Sequence, residues 1–208
     1  MSIFESKFVA EKDFKCDKKT ACCFTGHRRK DLPFKGDMYE AGMKRLWSVL
    51  TMYIGKAYED GYRTFICGMA EGIDLLCAQI VNEMKKTGRF EDMRLVGALP
   101  YKEHYTEIKK GMDRYMYSMM LECCDELVCV SVKSDKERYR RRNKFMVDNS
   151  SMLIAVIKHK EKGSGSLMTI NMARKAGLMI TAIKLDESAE AYGDMADGEQ
   201  HQAWSVQG

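Results

Sequence analysis

Apolar residues along this chain fall into short unbroken runs, separated by stretches where they recur at every third or fourth position. The runs Thr20–Thr25, Tyr62–Cys67, Met93–Leu99, Glu126–Ser131, Met152–Lys158 and Leu178–Leu185 are rich in β-branched, aromatic and small apolar residues, and each predicts a strand. Between the first two, Met43, Leu46, Trp47, Leu50, Tyr53, Ile54 and Ala57 repeat at helical spacing. They predict a helix from an N-cap at Asp37 to about Asp60, closed by Gly61. Further helices are predicted from Ile73 to near Gly88, from about Lys102 to Cys123, around Asn143–Ser150, and from the turn at Gly163–Ser166 to Lys175. The run Asp135–Arg142 is almost wholly charged and reads as a loop leading into its helix.

Strand and helix therefore alternate, and most of the strands are continuously apolar rather than alternating. That pattern belongs to an α/β fold with a mainly parallel sheet of about six strands, covered by helices on both faces. One domain is expected over residues 20–185. Residues 1–19 lack periodicity and read as an N-terminal arm or a loosely docked first segment. Residues 186–208 are polar, small and acidic, and are expected to be disordered.

Composition narrows the class. Lys and Arg number 34 against 30 Asp and Glu, a net charge of +4, which does not demand a nucleic-acid partner. The acidic residues Asp186, Glu187, Glu190, Asp194, Asp197 and Glu199 lie in the tail, so the folded part is more basic than the total. The eight cysteines form no C-x-x-C pair and have no histidine at zinc spacing, so no metal or other cofactor is expected. The charged N-terminus is no signal peptide, and no apolar run is long enough to span a bilayer. A reduced, cytoplasmic, soluble protein with no membrane partner is expected, and homo-oligomerisation stays open.

A parallel sheet brings the carboxyl ends of its strands to one edge, where ligands bind near the point at which strand order reverses. The residues there are Thr25, Gly26, His27 and Arg28 after the first run, and Gly68, Met69, Ala70, Glu71, Gly72 and Asp74 after the second. Gly163, Ser164, Gly165, Ser166 and Thr169 follow the fifth, and Arg142, Asn143 and Asp148 precede it. Two glycine turns at helix starts, an arginine fork and small hydroxyls suit a phosphate-bearing ligand. Plainer readings stand beside this one. His27 and Arg28 could be ordinary loop residues, and Asp74 could serve the helix dipole. Asp148 could be a partner within its own helix. Arg138, Arg140, Arg141 and Arg142 could form a solvated face. Tyr101, Tyr105, Tyr115 and Tyr117 could simply pack.

Four segments carry a family resemblance: Cys22–Arg28 (CCFTGHR), Ile66–Asp74 (ICGMAEGID), Arg142–Asp148 (RNKFMVD) and Lys162–Ser166 (KGSGS). In order and spacing they resemble the SLOG superfamily, the Rossmann-like group that joins the DNA-processing protein DprA with the LOG phosphoribohydrolases. Within it they look most like the YpsA-like stand-alone proteins. The resemblance implies a Rossmann-like domain that binds or senses a nucleotide or nucleotide-derived small molecule. Arg29 replaces the proline expected after T-G-H-R, Ser164 and Ser166 replace glycines, and the segment after Gly165 lacks the LOG glutamate. The leading expectation is therefore binding without turnover. Two alternatives are an N-glycosidic-bond hydrolase, with Glu71, Asp74 or Asp148 as its acid or base, and DprA-type binding of single-stranded DNA through the basic loops.

Overall fold

The computed structural model describes residues 5–108, 112–131, 135–158 and 165–185. Its strands are β1 (Phe8–Ala10), β2 (Ala21–Thr25), β3 (Thr64–Cys67), β4 (Arg94–Leu99), β5 (Glu126–Cys129), β6 (Met152–Lys158) and β7 (Met179–Leu185). They form one seven-stranded sheet in the order β1-β5-β4-β3-β2-β6-β7, with every neighbouring pair parallel. The helices are α1 (Ala41–Glu59), α2 (Ile73–Lys86), α3 (Met112–Cys123), α4 (Arg138–Asp148) and α5 (Gly165–Lys175). This is the expected α/β Rossmann-like architecture. Strand order runs outward from β2 to β5 and then returns to β6 on the other side of β2, which puts the reversal between β2 and β6.

The continuous apolar runs follow from a sheet covered on both sides. Along β2, Cys22 and Phe24 join the core beneath α1, α2 and α3, while Ala21 and Cys23 join the core beneath α4 and α5. Phe65 and Ile66 on β3, and Leu95 and Val96 on β4, divide in the same way. Phe24 and Phe65 stack across the β2–β3 pair at a centroid separation of 6.1 Å.

Three local expectations are corrected. The segment before residue 20 contributes the seventh strand. Phe8, Val9 and Ala10 pair with Leu127, Val128 and Cys129 on the open edge of β5. Three residues are too few to show a period, and the partner that makes them a strand is far away in sequence. The charged run is helical from Arg138 onward, not from Asn143. The Asp135 carboxylate accepts the Glu137 N–H at 2.9 Å, Arg140 pairs with Glu137 at 3.2 Å, and acidic groups before the helix complement its dipole. The helix expected from Lys102 is instead a 3-10 turn over Lys102–Glu107, and α3 is described from Met112. Gly163, Ser164 and the tail from Asp186 lie outside the described residues.

Glycine 26 sits where β2 meets α2, and a β-carbon there would lie 2.6 Å from the Ile73 Cβ. Gly55, inside α1, has only the Met84 Cε nearby, at an ordinary 3.6 Å. Gly26→Ala is therefore expected to destabilise the fold by about 1–3 kcal/mol through overpacking. Gly55→Ala is expected to stabilise it by roughly 1 kcal/mol through helix propensity. Thermal unfolding checks both, at about 2–4 °C per kcal/mol for a domain of this size.

Candidate ligand site at the carboxyl edge of the sheet

The two loops expected to face each other across a pocket are in direct contact. The turn after β3 holds Met69 at φ 54° and Gly72 at φ 95°, ψ −129°, a combination open only to glycine. A side chain on Gly72 would run into the backbone of His27, Arg28 and Arg29. The first amide of α2, the Ile73 N–H, donates to the His27 carbonyl at 3.1 Å. The backbone of the β2 loop thus takes the place at this amide that a phosphate was expected to fill.

Gly68 is tight for a second reason. Its carbonyl accepts a hydrogen bond from the Arg142 guanidinium, which also reaches the Asp74 carboxylate at 3.1 Å. A β-carbon on Gly68 would collide with both groups. Arg142 and Asp74 are buried, at 5% and 7% exposure, so the arginine is not part of a solvated face. The Ala70 N–H also points at Asp74, at 3.4 Å. Burial pushes the Asp74 carboxyl above 3.8, against the pull of Arg142 and Arg28. The Arg142 Nε has no hydrogen-bond partner among the described residues.

Other expected site residues join the loops to one another. The His27 Nε2 accepts the Lys158 N–H at 2.9 Å, which ties the loop after β2 to the end of β6. Ser166 donates to the Gly26 carbonyl at 2.8 Å. The Asn143 amide donates to the Thr169 hydroxyl at 2.9 Å, and that hydroxyl donates to the Gly165 carbonyl at 3.0 Å. Thr25 is buried as the last residue of β2, and Glu71 is exposed on its turn. Asp148 lies elsewhere. It is exposed at the far end of α4, about 15 Å along the axis from Arg138 by helical rise, and pairs with Lys144 one turn earlier.

Arg28 behaves differently. Its half-buried guanidinium makes no hydrogen bond or ion pair among the described residues, and lies 5.9 Å from the centre of the Tyr139 ring. Arg142 also stands 5.9 Å from that ring, and Arg138 stands 4.7 Å from it. Three guanidinium groups thus gather around one tyrosine where the ends of β2, β3 and β5 meet. Glu107 offsets part of this charge, 3.5 Å from Arg138 and 3.5 Å from the Tyr139 hydroxyl.

Beneath Tyr139 lies His104, which sequence reasoning passed over. Its ring nitrogens meet the Tyr117 hydroxyl at 3.0 Å and the Tyr139 hydroxyl at 3.3 Å. Burial, then the nearby Arg142 charge, lowers the His104 pKa from 6.5 to about 4, so the ring is neutral at physiological pH. Tyr101 and Tyr117 are buried as packing residues, Tyr115 is 60% exposed, and the Tyr105 side chain is outside the described set. One available signal pointed to Tyr139. Once Arg138–Arg142 is read as a helix, Arg138 and Arg142 share a face one turn apart, with the tyrosine beside them.

Among the described residues no group of three or more His, Cys, Asp or Glu could hold a metal ion, and no helix is long and apolar enough to cross a membrane. Burial raises the thiols of Cys22, Cys67 and Cys77 well above 9.0, and that of Cys23 to about 12, so none is an activated nucleophile.

The model of the YpsA (YspA SLOG) family matches residues 22–188. UPF0398 proteins of Bacillus cereus are similar: that of strain B4264 is 25% identical over 156 residues, covering 74% of this chain and 82% of its own. That of strain G9842 is 26% identical over 158 residues with the same coverage. Among solved structures, DNA processing protein A from Streptococcus pneumoniae superposes with a TM-score of 0.51 at 15% identity, covering 85% of this chain. The match spans 54% of that protein, about half its length. DNA processing protein A from Helicobacter pylori, solved in a study of its single-stranded DNA binding mode, gives 0.52 at 14% identity, with 83% and 68% covered. At these identities the two structures speak for the fold alone.

Two measurements check the site's internal bonding. Gly68→Ala and Asp74→Ala each disrupt the same buried pair, so each is expected to destabilise by about 3–5 kcal/mol. Combined, they should cost clearly less than their sum in urea unfolding, because they break one interaction. The second check concerns pH. The unfolded chain protonates His104 near 6.5 and the folded protein only near 4, so the unfolded state binds more protons in between. Stability is expected to fall as pH drops from about 6.5 to about 4, and His104→Asn should flatten that slope relative to the unmodified protein.

Proposed function

Since the chain belongs to the YpsA family of SLOG proteins, we propose that it binds an anionic, nucleotide-derived small molecule at the arginine-lined carboxyl edge of its sheet, without turning it over. One observation carries this reading. Arg28 brings a half-buried guanidinium, with no hydrogen bond or ion pair among the described residues, to a site that already holds Arg138 and Arg142 around Tyr139. Asp74 neutralises Arg142 and Glu107 offsets Arg138, so the cluster keeps a net positive charge that an anion beside Arg28 would complete. Phosphate groups match the guanidinium fork, and the ring offers a flat apolar face to a base or ribose.

The absence of turnover is inferred from the carboxylates. Asp74 is committed to Arg142 and buried, and Glu107 is engaged by Arg138 and the Tyr139 hydroxyl. Asp148 stands at the far end of α4, and Glu71 lies away from the cluster, lining a hollow with Leu32 and Met43. Cleavage of an N-glycosidic bond needs a carboxylate free to meet positive charge developing on the ribose. The expected nucleotide site at Gly68–Gly72 is moved accordingly. In this reading the anion sits against Arg28, Arg138 and Tyr139, and the glycine turn supports Arg142 from behind.

The test is a thermal-shift panel of nucleoside mono- and diphosphates and dinucleotides. A ligand at about a hundred times its Kd should stabilise the fold by roughly 2.7 kcal/mol. Arg28→Ala should weaken that ligand by about 1.5–3 kcal/mol, the scale for a hydrogen bond to a charged group. The unliganded protein should change by no more than about 1 kcal/mol, the scale of an exposed cation–π contact. A loss of unliganded stability with affinity intact would make Arg28 a structural residue and remove the site.

Single-stranded DNA is the second reading, favoured by the subject of the Helicobacter pylori study. Against it, Arg140 is paired with Glu137 and Arg141 with Asp135. Affinity for an oligonucleotide that falls with salt at about 0.7 per phosphate contact, and micromolar binding at physiological salt, would bring it to the front.

A further inference from the structure

On the face of the sheet away from α1, helices α4 and α5 leave a groove of about 730 Å³ between them. Half-buried Leu167, Met168 and Met172 line it, and its charged lining is Arg140, Lys144 and Lys175 with the single acid Asp148. Asp148 pairs with Lys144, and Arg140 with Glu137 outside the groove; both are exposed pairs one turn apart, which contribute little in water and leave the lining net basic. Lys175 has no ion-pair partner among the described residues. The surface is therefore apolar along its length and basic at its rim, and it calls for an extended acidic segment that also carries apolar side chains.

The same chain contains one. Residues 186–208 hold Asp186, Glu187, Glu190, Asp194, Asp197 and Glu199 and no lysine or arginine, with Tyr192 and Met195 set between the acids. They continue directly from β7, whose last residue Leu185 pairs with Lys158 at the carboxyl edge of the sheet. Helix α5 begins at Gly165, after β6 ends at that edge, and packs against β7. At about 3.3 Å per extended residue, Tyr192 can travel roughly 23 Å from Leu185. An 11-residue helix such as α4 or α5 is only about 16 Å long. Tethering also raises the local concentration of the tail at this surface into the millimolar range, so a weak complementary contact suffices.

We propose that the acidic C-terminal tail of this chain docks in the α4–α5 groove, with Tyr192 and Met195 over the methionines and its carboxylates on Lys144, Lys175 and Arg140. This does not depend on the ligand reading above. The groove and the Arg28 cluster lie on different parts of the surface, joined through α4 and, by the Ser166–Gly26 hydrogen bond, through the start of α5. A docked tail would draw Arg140 and Lys144 away from any polyanion approaching along α4.

The test is zero-length carbodiimide coupling of the full-length protein, which joins a carboxylate to a lysine amine only where the two are in contact. Peptide mapping of the monomer band should find tail carboxylates joined to Lys144 or Lys175 at least tenfold more often than to the exposed control Lys30, which follows β2 at the same edge of the sheet, two strands from β7. The preference should disappear in 1 M salt. Met168→Glu keeps both lysines while adding a negative charge to the groove, and should cut the coupling several-fold. Even coupling to all exposed lysines would overturn the proposal. So would coupling found only in a band of twice the mass, which would assign the groove to the tail of a second copy. If Met168→Glu lowers the melting temperature, the salt dependence of the unmodified protein decides alone: a preference that survives 1 M salt counts against charge-held docking.

Discussion

The carboxyl edge of this sheet is organised by one buried cation. Arg142 projects from α4 into the space beside Gly68, where it meets a backbone carbonyl and the Asp74 carboxylate. A guanidinium withdrawn this far from water is tolerable only with its partners in place. Its demands account for much of the local sequence. Gly68 leaves room for it, Asp74 neutralises it from the first turn of α2, and the turn between them places Met69 in the left-handed region. One side chain thereby joins the loop after β3 to the helix after β5.

That arrangement changes what the glycine turn is for. A strand–glycine–helix turn is a ready anion site when the first amides of the helix face open space. Here Gly72 lies against the backbone of residues 27–29, and the Ile73 amide donates to the His27 carbonyl. Positive charge is carried instead by side chains, the guanidinium groups of Arg28, Arg138 and Arg142 around Tyr139. His104 beneath that ring is neutral because burial and the neighbouring arginine both oppose a further proton. The site therefore has fixed guanidinium charge above and an uncharged, hydrogen-bonded aromatic floor below.

The likeness to DNA processing protein A and the membership of the YpsA family share this logic at the level of the fold. Parallel strands bring their carboxyl ends to one edge, and the chemistry is carried by whatever the loops present there. In this chain the polar residues Asn143, Ser166, Thr169 and His27 are spent on joining those loops. The edge is thus held together by the residues a sequence motif would assign to a ligand, and the Arg28 guanidinium remains beside Tyr139 with no hydrogen-bond partner among the described residues.

What the amino-acid order determined by itself was the alternation of strands and helices, the burial of both sheet faces, and the edge at which polar residues collect. Those features come from local pattern: continuous apolar runs, helical periodicity, and glycines at turns. Sequence could also name Arg28, Asp74 and Arg142 as candidates, since each falls at the carboxyl edge of the predicted sheet and within a motif segment. It could not say that two of the three would satisfy each other in the interior, because that depends on the distance between α2 and α4. Nor could it place His104 and Tyr139 in one cluster, or turn Phe8–Ala10 into a strand. In each case the partner lies far along the chain, and only the packed sheet decides which distant groups share the same few ångströms.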